Sequence, residues 1–146
     1  MRVSTKGRYG LRLMVELAAR DNGRPVLLRS LSEGLGVSPK YLHHLITSLR
    51  EQGLVRSVRG AGGGFRLGRA PEAINVGEVV RVLEGPFAPV ECLEASGRCR
   101  RAPDCVTREV WRTLGETIER TLSAITLADL LARLRARRGE ALQFEI

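Results

Sequence analysis

Cys92, Cys99 and Cys105 are the only cysteines of the chain, with six and five residues between them, in one stretch punctuated by Gly and Pro. Thiolates are soft ligands, and three so close together can converge on iron or zinc without help from a regular element. Structural zinc normally brings a close Cys-x-x-Cys pair, which this segment lacks. Reactive thiols without metal are the other chemistry on offer, because Arg98, Arg100 and Arg101 favour thiolates and so their oxidation. Iron–sulfur ligation leads, ahead of metal-free redox and then zinc.

A second constellation points to a polyanion. Arg56, Arg59 and Arg66 flank the loop Gly60-Ala61-Gly62-Gly63-Gly64. Glycines such as Gly60, Gly62 and Gly63 let a backbone approach its ligand closely, and an Arg at a narrow hairpin tip can enter a minor groove. A nucleotide-binding loop would need a helix N-terminus after it, whereas this one lies between two predicted strands. Upstream, Ser38 and Pro39 carry N-cap and first-turn signals for a helix to about Gln52. Leu42, Leu45, Ile46 and Leu49 would face inward, leaving Ser38, Lys40, Tyr41, His43 and His44 exposed near its start. Side chains there can reach base edges or phosphates in a major groove.

The elements that position these residues can be read from periodicity. A helix is expected over about Lys6–Arg20, and a short one over Arg29–Leu35, where Ser30 and Glu33 have capping-box spacing. The helix from Ser38 follows the Gly36-Val37 break. The pattern then changes to period two over Leu54–Arg59, with Phe65-Arg66-Leu67 returning. Two short helices, a tight turn and a hairpin make a winged helix-turn-helix. Asn75 and Glu78 cap a further helix to about Leu83. Val106, Val110, Leu114, Ile118, Leu122 and Ile125 form a stripe on a long helix to about Ala124. Thr126 and Asp129 start a last helix to about Arg137, and the tail 140–146 is unassigned. The fold expected is mostly α with a two-stranded β wing. It divides into a DNA-binding domain at 1–83, a cysteine-bearing sensor loop at 84–105, and a dimerisation helix with C-terminal helix at 106–146.

Charge supports this division. The chain of 146 residues has a net charge of +8. Residues 1–69 hold 13 Lys/Arg and 4 Asp/Glu, whereas residues 70–146 hold 11 and 12. The excess therefore lies in the first half, as a nucleic-acid partner requires. The 43% hydrophobic content excludes disorder, and no apolar run is long enough to span a bilayer. No apolar stretch follows the basic residues of Met1–Arg8, so a cytoplasmic protein without a signal peptide is expected. No nucleophile–base or paired-carboxylate pattern suggests an enzyme.

The sequence resembles the winged-helix repressor family that includes IscR, NsrR and CymR. The likeness is carried by Ser4–Gly10, Tyr41-Leu42, Leu49-Arg50, Gly53-Leu54-Val55, Val58–Phe65, Gly77-Glu78 and the three cysteines. It implies dimeric regulators on roughly palindromic double-stranded operators, with Arg59 in the minor groove and the Ser38–Gln52 helix in the major groove. Arg2, Lys6, Arg8, Tyr9 and Arg50 join the DNA-binding set. IscR-like proteins have a Glu where this chain has His43, which implies a different operator.

The resemblance also places the cysteines at cluster-ligand positions and implies an iron–sulfur cluster, [2Fe–2S] ahead of [4Fe–4S]. IscR-like proteins take a fourth ligand from a His where this chain has Arg108. Some relatives use a carboxylate of the partner subunit, at the position of Arg8. Glu91, Glu94, Asp104, Glu109, an exogenous thiol or water remain, so the fourth ligand is open. The stretch Val82–Glu91 and the ending Leu142–Ile146 resemble CymR instead, whose type lacks the cluster cysteines and answers to a partner enzyme. Finally, the stripe from Val106 spans roughly 28 Å. It suits a homodimer centred on Val110, Leu114 and Ile118, with Leu122 continuing it and the two recognition helices about 34 Å apart.

Overall fold

The computed structural model describes residues 2–95 and 99–144, and the side chains of 140–142 and 144 are left aside. Seven α-helices are described: α1 Thr5–Ala19, α2 Leu28–Leu35, α3 Pro39–Glu51, α4 Val76–Glu84, α5 Glu91–Glu94, α6 Val106–Ser123 and α7 Leu127–Phe144. Strands β1 Val55–Val58 and β2 Gly64–Leu67 form an antiparallel hairpin that pairs Val55 with Leu67 and Val58 with Gly64. The fold is a mostly helical winged helix-turn-helix with a two-stranded wing.

Helix α1 runs through the centre, against α4, α7, α2, β2 and α3. Its Leu13, Met14 and Leu17 share one buried cluster with Leu31, Leu42, Leu45, Ile46, Leu49, Leu54, Ile74 and Val79. Small residues make room for the crossing with α4. A Cβ on Gly10 would overlap the Leu83 side chain, and one on Gly7 would overlap the Glu84 carboxylate. That carboxylate accepts hydrogen bonds from the Ser4 and Gly7 amides at 2.9 and 3.0 Å and from the Ser4 hydroxyl. The last residue of α4 thus caps the first turn of α1, where free N–H groups and the helix dipole favour an anion.

Three start signals work locally. The Ser38 hydroxyl accepts from the Tyr41 amide at 3.2 Å. Asn75 and Glu78 form a reciprocal capping box, and Thr126 and Asp129 exchange equivalent bonds at 2.8 and 3.1 Å. The box expected from Ser30 and Glu33 does not form. Helix α2 starts at Leu28 without a side-chain cap, which puts Ser30 inside the helix, where its hydroxyl accepts from Arg20 at 2.7 Å. Glu33 pairs with Arg29 instead. The helix-turn-helix bend is fixed by Gly36 in the left-handed region, φ 66°, and by the buried Ser32 hydroxyl donating to the Val37 carbonyl at 2.5 Å.

Three further features depart from the sequence expectation. Helix α7 continues past Arg137 to Phe144, taking in part of the unassigned tail; residues 145–146 lie outside the described ones. Although grouped with α6 by sequence, α7 packs on α1, and its Leu127 and Leu131 belong to the core of the winged helix-turn-helix unit, the head of the molecule. Capping and local periodicity show that a helix exists but not which face of the head receives it. A third strand-like contact also joins the wing: Val26 and Phe65 exchange backbone hydrogen bonds, each at 2.8 Å.

That contact needs Gly64. Its φ is +152°, and a Cβ there would overlap the Val26 carbonyl oxygen. Gly64→Ala should therefore lower stability by about 1–3 kcal/mol. Chemical denaturation tests this, and an unchanged midpoint would refute the close approach.

Candidate nucleic-acid interface and cysteine segment

The basic candidates are set out on three elements. Arg2 lies just before α1, and Lys6 and Arg8 in its first turn; all are exposed. Lys40, His43 and His44 are exposed on the first turns of α3, while Leu42, Leu45, Ile46 and Leu49 are buried beneath them. Arg56, Arg59, Gly60 and Gly62 are exposed on the wing, with Gly63 half-buried. A Cβ on Gly63 would overlap the Val58 carbonyl, and the Gly63 amide donates to the Gly60 carbonyl at 3.0 Å. The glycines thus allow a tight tip on which Arg59 projects.

Several candidates turn out to have structural work. Ser38 spends its acceptor on the helix cap. Tyr41 is half-buried, its ring edge-on to Tyr9 with centroids 6.3 Å apart. Arg12 lies over the Tyr9 ring at 5.3 Å, so an aromatic pair fixes α1 against the recognition helix. Arg50 donates to the Ser57 hydroxyl at 3.1 Å and braces α3 to the wing. Arg66 is taken by Asp21 at 2.8 Å, which anchors β2 to the loop after α1. The Arg66 hydrogen bond outweighs partial burial and holds the Asp21 carboxyl below its usual range. Sequence reasoning read Arg66 as a wing arginine because its partner lies 45 residues away. It missed Glu84, the cap that ties this face to the downstream segment.

The chain leaves α4 at Gly85 and runs through Pro86, Phe87 and Pro89 to α5. This strap lies on α6, where a Cβ on Gly115 would overlap the Phe87 carbonyl. Cys92 is on α5, Cys99 follows the stretch 96–98, and Cys105 is the N-cap of α6. All three are free and half-buried. Arg98 lies outside the described residues. The Cys105 thiol sits 3.2 Å from the Thr107 hydroxyl. That bond, then the Arg108 amide and more weakly the charge of Arg101, lowers its pKa.

Donor chemistry in this segment fits an iron–sulfur cluster: three unpaired thiols, one of them held towards thiolate. Their positions are not gathered, since among the described residues no three His, Cys, Asp or Glu side chains form a metal-binding group. Arg108 is turned to the Cys92 carbonyl at 3.2 Å. Its buried Nε has no hydrogen-bond partner among the described residues.

The expected stripe on α6 divides. Steps of four residues rotate by about 40° around a helix, so the line from Val106 spirals across the surface. Val106 and Val110 are 74% and 57% exposed, and Trp111 beside them 39%. Leu114, Ile118 and Leu122 are half-buried, and the last two face the strap around a cavity also lined by Val80, Phe87 and Pro89. Thr113 and Thr117 turn their hydroxyls back to the Glu109 and Thr113 carbonyls at 3.0 and 2.7 Å.

A recognition helix, a glycine-tipped wing and a capped α1 make a recognisable regulator architecture, and comparison with known proteins identifies which one. A family model described as "Rrf2: Iron-dependent Transcriptional regulator" matches residues 3–133. The chain belongs to the Rrf2 family. It is 43% identical over 130 residues to the HTH-type transcriptional regulator CymR of Bacillus subtilis, covering 89% of each chain. It is 41% identical over 131 residues to the HTH-type transcriptional regulator IscR of Erwinia tasmaniensis, covering 90% of this chain and 79% of that one. The solved structure of T. potens IscR matches with a TM-score of 0.76 at 43% identity, over 92% of this chain and 88% of that one. An Rrf2-family chain is a transcriptional regulator, and the relatives named here are regulators of that kind. No helix among the described residues is long and apolar enough to cross a membrane.

Cys105 offers a direct test of the thiol environment. With its pKa lowered, it should be alkylated by iodoacetamide at pH 7.5 faster than an ordinary thiol. Thr107→Val should slow this several-fold and have no effect near pH 10, where the thiol ionises anyway. Equal rates at pH 7.5, followed by mass spectrometry, would discount the hydrogen bond.

Proposed function

We propose that this Rrf2-family chain is a homodimeric, sequence-specific repressor whose operator affinity is set by the state of Cys92, Cys99 and Cys105. The observation that carries the reading is the path from these cysteines to the basic face. Glu84 caps α1 at one end of the strap, and Cys92 lies on α5 just beyond the other. A change in the cysteine segment then bears on Lys6 and Arg8 through the strap. Lys40, His43 and His44 read the major groove and Arg59 the minor groove. The exposed Val106, Val110 and Trp111 meet a second copy, which brings two heads to one duplex.

Cys92, Cys99 and Cys105 would hold an iron–sulfur cluster, which when bound supplies a centre sensitive to oxidation and to iron supply. This chain's own part is to keep the three thiols free of disulfides and to bias Cys105 towards its thiolate through Thr107. The fourth ligand is not a histidine at position 108, so the cluster should be readily lost. A second reading has its own support: Arg108 tethers the Cys92 carbonyl where IscR-like proteins carry a ligand, and CymR is among the similar proteins. In it, thiol oxidation or a partner enzyme controls the same repressor without a cluster.

Two measurements test these claims. Iron and acid-labile sulfide are expected in anaerobically purified or reconstituted protein, and lost in Cys92→Ser, Cys99→Ser and Cys105→Ser; a protein that takes up neither leaves only the thiol reading. For the head, Arg59→Ala should weaken binding to an operator selected from random duplexes by about tenfold or more. Unchanged affinity would refute the wing assignment.

A further inference from the structure

Arg20, the C-cap of α1, reaches across to α2. Its Nε donates to the Glu16 carboxylate at 2.6 Å and its Nη1 to the Ser30 hydroxyl at 2.7 Å. Its Nη2 lies where a Cβ on Gly34 would stand. Ser30 and Gly34 are one turn apart and share a face of α2, so one supplies an acceptor and the other the room beside it. Arg20 and Glu16 are both half-buried, and Glu16, on the preceding turn of α1, holds the guanidinium towards α2.

That hydrogen bond decides between two starts for α2. Ser30 and Glu33 have the spacing of a capping box, which would begin the helix at Leu31. With its hydroxyl on Arg20, Ser30 lies instead inside a helix that begins at Leu28 without a side-chain cap. What is fixed at α2 passes to α3, because Gly36 and the bond from Ser32 to Val37 set the bend between them. Besides the shared core, this pair of helices meets α1 at two points, Tyr41 on Tyr9 and Ser30 on Arg20. Tyr9 and Arg20 stand 11 residues, roughly 16 Å, apart along α1. Two attachments so far apart fix an angle, where one fixes only a position. We propose that Arg20 is a positioning residue for operator recognition: by holding Ser30 and lying on Gly34, it selects the longer α2 and sets the angle at which α3 meets DNA. This role rests on the reading of α3 as the major-groove helix and requires no contact between Arg20 and DNA.

The test measures, by fluorescence anisotropy on the full chain, affinity for the selected operator and for a scrambled duplex of equal length. Loss of folded protein lowers both alike, whereas a misset α3 lowers the first and spares the second, which depends on phosphates. Arg20→Ala should weaken operator binding by about tenfold and change the scrambled duplex by less than about twofold. Gly34→Ala is the sharper variant. Alanine inside a helix is ordinarily better than glycine, yet here its Cβ displaces the guanidinium, so operator binding should weaken several-fold. Added to Arg20→Ala, it should weaken binding no further. Circular dichroism checks folding; if Arg20→Ala does not fold, Ser30→Ala removes the same hydrogen bond with a smaller change and should lower the same affinity ratio several-fold. Equal losses on both duplexes make Arg20 a stabilising group only and overturn the proposal, as does a Gly34→Ala effect that adds in full to that of Arg20→Ala. Lys40→Ala with His43→Ala separates the two claims. If it weakens operator binding and Arg20→Ala does not, only the positioning role falls. If it leaves operator binding unchanged, the reading of α3 falls, and the positioning role with it.

Discussion

The close crossing of α1 and α4 is the contact on which the other arrangements depend. Gly7 and Gly10 leave no side chain where the Glu84 and Leu83 side chains must lie, so α4 can seat these two side chains directly on the α1 backbone. Only then can the Glu84 carboxylate reach the free amides at the start of α1. With α1 set in this way, it also receives α2, α3, β2 and α7. Tyr9 on the same helix then meets Tyr41 on α3. One helix therefore holds the recognition helix through an aromatic pair and the strap through an ionic cap.

The basic surface is assembled by removing charges as much as by displaying them. Arg66 is held by Asp21, Arg69 by Glu78 and Arg20 by Glu16. These pairs stitch loops and strands to the head, and each is partly exposed, so none adds much stability alone. Their larger effect is selection. Among the arginines left over, Arg59 stands at the wing tip and Arg2 and Arg8 at the start of α1, exposed to an external anion.

Much of this was legible in the sequence where the deciding physics spans few residues. Ser38 with Pro39, Asn75 with Glu78, and Thr126 with Asp129 each place a cap and its amide within four positions, and the structure forms those bonds. The same spacing at Ser30 and Glu33 misleads because Arg20, a tertiary neighbour, competes for the hydroxyl. The recognition-helix core of Leu42, Leu45, Ile46 and Leu49 follows from period 3.6. The α6 stripe was read as a single line, yet a strict four-residue step drifts around the helix and sends Val110 outward and Leu122 inward. Val26 gives no periodic signal at all, since one bridge residue has no pattern. The seat of α7 and the role of Glu84 depend on contacts between distant segments.

The bridge between Asn75 and Thr126 has a mechanical consequence. The Val76 amide donates to the Ile125 carbonyl at 2.8 Å and the Leu127 amide to the Ile74 carbonyl at 2.9 Å. A capping box follows on either side of this double bond. The C-terminal end of α6 is thus clamped to the head, while its N-terminal end begins at Cys105. The helix is a cantilever of 18 residues, roughly 27 Å from clamp to tip. A tilt of about five degrees at the clamp displaces the tip by roughly 2 Å, and the converse also holds. A displacement at Cys105 would therefore have a longer lever on the clamp than the same displacement near Ile125, with the strap on Gly115 as the contact that resists it.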